Sequence, residues 1–77
     1  MHQMTSRRLN PQKLLNSKWS KVAAEHKEKH FMVVKLLLAE DESRRVEQVV
    51  LEAVLTRRQW TMPWQKLLDE TQWKQGW

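Results

Sequence analysis

The chain has 77 residues, 40% apolar and 30% charged, with one Gly, two Pro, five Trp and no Cys. Fourteen Lys and Arg against nine Asp and Glu give a formal net charge of +5 at pH 7. This excludes a disulfide-stapled scaffold, thiol chemistry and a Cys-rich zinc finger, and no apolar run approaches the roughly 20 residues a membrane span needs.

The first eight residues carry charge with no apolar stretch behind it, which is not the pattern of a secretory signal. A cytoplasmic protein with a disordered basic extension at 1–9 and one Trp-rich domain at 10–77 is expected. In that domain Asn10 caps a single turn opened by Pro11, and Asn16-Ser17 breaks it. Lys18 to Val22 alternates polar and apolar and predicts a short strand with Trp19 inward. Ala23 to Lys29 is polar and charged, and reads as a loop. His30 to Ala39 is the clearest strand candidate, apolar on nearly every side chain as a central strand is. Glu40 to Arg45 is a polar connection without the Asn-Gly or Asp-Gly signature of a two-residue hairpin. Val46 to Thr56 fits both periods: Val46, Val49, Val50, Ala53 and Val54 at helical spacing, and Val49, Leu51, Ala53 and Leu55 at strand spacing. Met62 precedes Pro63 and is biased to extended geometry. Pro63 suits the first position of a C-terminal helix that aligns Trp64, Leu67, Leu68 and Thr71, with Gly76 as its terminator.

A domain this small buries only about 60% of the surface its unfolded chain exposes. It needs a staple, and large side chains are the one available. An aromatic ring buries about 150–250 Å², so most of the Trp are expected to build the core. The charge is uneven. Residues 1–30 hold seven basic and two acidic residues, whereas 31–77 hold seven of each. Such asymmetry suits an anionic partner, with nucleic acid the commonest.

The run from Asn10 to Trp19, the stretch Lys27 to Phe31, the stretch Leu51 to Arg58, Trp64 with Leu67, Leu68 and Asp69, and the ending from Trp73 to Trp77 resemble the family of short tryptophan-rich conserved bacterial proteins of uncharacterised function. The likeness spans roughly residues 10–77. It carries over no activity, cofactor or catalytic residue. It implies alternation along Val46 to Arg58, hence a strand there. The expected fold class is then α+β: a small antiparallel sheet of about three strands closed by a C-terminal helix.

Two clusters interleave cations with indole. Lys18, Trp19 and Lys21 form one; Arg57, Arg58 and Trp60 form the other. Single strands bind cationic grooves with aromatic stacking platforms, so RNA or single-stranded DNA is the first expected partner. The other reading is a protein partner or homodimer bound through Trp73 and Trp77 on the C-terminal helix, because Trp is enriched at interface hot spots. No enzymatic activity and no cofactor are expected. Glu52 interrupts an apolar strand beside Arg57 and Arg58, as a cross-strand ion pair does, and has no second tuned group for acid–base work. His26 and His30 lack a third ligand, so no metal is expected. One Gly cannot build a phosphate loop.

Overall fold

Alternation of side chains dominates the architecture. Five strands are formed: β1 (Lys18–Glu25), β2 (Glu28–Leu38), β3 (Val46–Ala53), β4 (Gln59–Pro63) and β5 (Trp73–Gln75). They make one antiparallel sheet in the order β4-β3-β2-β1-β5 in the computed structural model, which describes residues 8–25 and 27–77. β1 to β4 are sequence neighbours, and β5 returns to pair with the free edge of β1.

Residues directly opposite in an antiparallel pair share a face. Trp19 faces Phe31, Phe31 faces Ala53, Val33 faces Leu51, and Leu51 faces Trp60. These side chains define the core face of the sheet. A register shift between Val33 and Lys35 leaves Leu36 opposite Val49. The shift returns Leu36 to the core side, and it explains why β2 reads as an apolar run rather than a clean alternation. The opposite face carries the row Lys18, Met32, Glu52 and Gln59.

Two short 3-10 turns and the residues beside them add to the core. Asn10 accepts a hydrogen bond from the Gln12 amide at 3.1 Å and opens the turn Pro11–Lys13, after which Leu14 is buried. The second turn, Trp64–Leu68, contributes the fully buried Leu67. Leu9 and Trp64 pack against the same cluster. Of the expected extension at 1–9, residues 1–7 lie outside the described residues.

The expected α+β fold is therefore overturned. The described residues contain no α-helix, and the segment after Pro63 is a five-residue 3-10 turn followed by a strand. Local chemistry breaks the helix. Asp69 is extended at φ −82°, ψ 100°, and its Oδ1 accepts from the Thr71 amide at 3.0 Å and the Thr71 hydroxyl at 2.6 Å. Asp and Thr offer the backbone such turns in competition with helix. The reversal carries Trp73 onto Phe31, with ring centroids 5.2 Å apart. The stretch 23–29 is not a loop either, because β1 runs to Glu25 and β2 begins at Glu28. Val46–Ala53 is a strand.

Candidate functional site

The two 3-10 turns cover part of the core face. The remainder is a cleft of about 330 Å³ whose lining includes none of their residues. Phe31 lies at its centre on β2. Trp60 stands on one side on β4, its ring centroid 5.5 Å from that of Phe31 at 61°. Trp73 stands on the other side on β5, at 86° to Phe31. Both contacts are edge-to-face arrangements that aromatic quadrupoles favour.

Each indole carries a cation. The Arg58 guanidinium lies 4.6 Å from the Trp60 ring centroid, and Lys21 Nζ lies 5.1 Å from that of Trp73. Register places the second pair, because Lys21 is directly opposite Trp73. Arg58 sits one residue before β4, on the turn after β3. Backbone bonds from the Arg57 amide to the Ala53 carbonyl and from the Ala53 amide to the Arg58 carbonyl, both 2.8 Å, fix that turn.

Glu28 lines the same cleft and is only 5% exposed. Its Oε1 accepts from Arg58 Nη1 at 3.3 Å, and its Oε2 accepts from the Thr56 hydroxyl. Thr56 Oγ1 in turn accepts from the Arg58 amide at 3.3 Å. The carboxylate thus holds the guanidinium in position over Trp60. Two cations against one carboxylate leave a positive cleft, so it favours an anionic ligand over a cationic one.

The structure divides the expected site residues. Lys21, Arg58 and Trp60 meet in the cleft, joined by Trp73, expected at a partner surface. Trp19 is fully enclosed at 0% exposure, its indole N–H donating to Ser17 Oγ at 2.8 Å, and presents no ring face to a ligand. Lys18 projects to the opposite face of the sheet, 4.8 Å from the Trp77 ring centroid. Arg57 is exposed and pairs with Glu52 at 3.3 Å. The alternation that turns Trp19 inward sends Lys18 away from Lys21's neighbourhood. Trp73 is buried at 6% exposure, whereas Trp77 is half exposed on the face opposite the cleft. The Trp77 indole donates to the Phe31 carbonyl at 3.0 Å, and its ring lies 5.7 Å from that of His30. Phe31 and Glu28 complete the cleft without having been singled out in the sequence. Only the strand register exposes them, since Glu28 sits in an undistinguished run of charges.

Glu52 is held below its ordinary carboxylate range by the Gln59 side-chain amide at 2.8 Å, then by the Arg57 guanidinium. Asp41, in the β2–β3 connection, is lowered by hydrogen bonds from the Ser43 hydroxyl and amide and then by Arg45. His26 lies outside the described residues. Among those described, no cluster of three or more His, Asp or Glu is placed to hold a metal, and no helix is long and apolar enough to cross a membrane.

With this arrangement in hand, comparison with known proteins places the chain in a family. It belongs to the family described as Tryptophan-rich protein (DUF2389), whose model matches residues 17–77. Every cleft residue named above lies within that match. No curated protein and no solved structure matches the chain.

Proposed function

We propose that the protein binds single-stranded nucleic acid, RNA or DNA, by seating a base in the aromatic cleft while Lys21 and Arg58 attract the backbone. The observation that carries this reading is the pairing of two indoles and a phenyl ring with two cations around one opening. Base–aromatic stacking contributes about 1–3 kcal/mol per base, and a cationic surround supplies the sequence-independent part of the affinity. Trp60 is the accessible platform at 36% exposure, with the Arg58 guanidinium over its ring. The net charge of +5 favours the same class of ligand.

Titration with short single-stranded oligonucleotides is expected to quench Trp emission, with affinity falling as salt rises. For single strands the slope of log K against log salt is about −0.7 per neutralised phosphate. Lys21→Gln is expected to flatten it by about that amount. Trp60→Ala is expected to lose about 1–3 kcal/mol of binding while the unfolding transition persists, because Trp60 stands at the rim of the core. Unchanged emission at low salt with every oligonucleotide would remove this function from consideration.

A further inference from the structure

We infer that the cleft prefers guanine over the other bases, with Glu28 reading its Watson–Crick edge; this deepens, and rests on, the nucleic-acid reading above. A carboxylate accepts hydrogen bonds and donates none, and its two oxygens offer about four acceptor positions. Glu28 uses one on each oxygen, for Arg58 and for the Thr56 hydroxyl. Each oxygen therefore retains formal acceptor capacity, and Glu28 is one of the residues that line the cleft.

Guanine is the one common base whose Watson–Crick edge presents two adjacent donors, N1–H and the N2 amino group, followed by the O6 acceptor. Glu28 with Arg58 beside it presents the complementary order, two carboxylate oxygens and then a guanidinium. Cytosine and adenine each place a bare ring nitrogen next to a single amino group, which sets an acceptor against a carboxylate oxygen. Uracil and thymine flank a single N–H with two carbonyls. Single-stranded bases are read on this edge when splayed onto aromatic side chains. The surplus positive charge of the cleft, with Arg58 and Lys21 on the two indoles, keeps the phosphate of the same nucleotide favourable even though the reading group is an anion.

The experiment uses the full chain and oligouridylates with one central variable position, read by Trp emission. Guanine there is expected to bind at least about fivefold more tightly than adenine, cytosine or uracil, the low end of a good bidentate base contact. Inosine, which lacks the N2 amino group, is expected to lose most of the preference. 7-Deazaguanine keeps both donors and is expected to retain it. Glu28→Gln is expected to level the four bases without abolishing binding, since it removes a negative charge. Binding that is equal for all bases overturns the preference and leaves the nucleic-acid reading standing. Loss of preference with 7-deazaguanine but not with inosine assigns the reading to Arg58 at N7 and O6, and overturns the role of Glu28. No binding by any oligonucleotide overturns the function itself.

Discussion

Trp19 and Trp77 are chemically identical and lie in opposite surroundings. Trp19 is wholly enclosed in the core cluster, on a strand flanked by β2 and β5, whereas Trp77 is half exposed on the far face. Removing an enclosed Trp side chain costs about 3–5 kcal/mol, through lost transfer energy and the cavity left behind. A 77-residue domain has a total stability of roughly 4–12 kcal/mol. Trp19→Ala is therefore expected to leave the chain largely unfolded at 37 °C. Trp77→Ala loses one hydrogen bond to the Phe31 carbonyl, a partly exposed cation–π contact with Lys18 and the ring contact with His30, together on the order of 2 kcal/mol. Urea unfolding of the two variants, read by circular dichroism, checks the contrast. Comparable losses would mean that exposure does not rank these indoles.

The β3–β4 hairpin is tied on its outer face by Glu52, which accepts from Gln59 and pairs with Arg57. A carboxylate whose folded pKa is lowered stabilises the native state above its unfolded value, and that contribution is lost as pH falls through the lowered folded value. Glu52 is expected to behave in this way, so wild type should exceed Glu52→Gln in stability at neutral pH and the gap should close on acidification below about 4.5. Unfolding midpoints of both proteins from pH 6 to pH 3 test this, and a constant gap would contradict it. The same hairpin shows what the sequence made legible. Val49, Leu51 and Ala53 fit strand spacing, but Val46, Val49, Val50, Ala53 and Val54 fit a helix as well, so the strand there follows from the family resemblance. Pro63, which suits a helix start, closes β4 instead. The corners between strands were harder to see. Lys27, Arg44 and Arg57 at the strand connections, and Asn16 just before β1, all have positive φ, from 54° to 69°, where Gly is the usual choice. With Gly76 the single glycine, the usual marker of a tight turn is missing from every hairpin. With no such marker, 23–29 reads as a loop from its polar, charged residues, and β4 reads only as an extended stretch before Pro63. The C-terminal helix fails as a prediction for a different reason. Trp64, Leu67 and Leu68 fit its spacing, but the Asp69–Thr71 hydrogen bonds and the burial of Trp73 against Phe31 outweigh that pattern. Of the cleft, Lys21, Arg58 and Trp60 stand out in the sequence as one kind of site candidate and Trp73 as another, on a helix that does not form. Phe31 and Glu28 join it only through pairings between distant segments.

The whole molecule spans 39 × 38 × 15 Å. Stacked layers of structure lie about 10 Å apart, so this thickness holds one sheet and a partial cover. A core one layer deep has few redundant contacts, and its weakest closure governs the rest. That closure is β5, three residues long, whose partner strand lies more than fifty positions earlier in the chain. Beyond the ladder, the Gly76 amide donates to the Lys18 carbonyl at 2.7 Å, and the Ser20 hydroxyl donates to the Gly76 carbonyl at 2.7 Å. Gly76 takes φ 91°, a conformation that turns the chain so that Trp77 crosses to the other face. Residues 73–77 thus supply one wall of the cleft, one side of the Trp19 enclosure and a clasp over the edge of the sheet. Their loss removes about 3–5 kcal/mol for Trp73 alone, a large share of the total available to a chain of this size. A protein ending at Gln72 is expected to lose its cooperative unfolding transition, and its remaining indoles are expected to emit as solvated Trp. Oligonucleotide quenching should vanish with the fold. A truncated chain that still unfolds cooperatively, with the emission of a buried indole, would show that β1 to β4 stand alone and that β5 only decorates their edge.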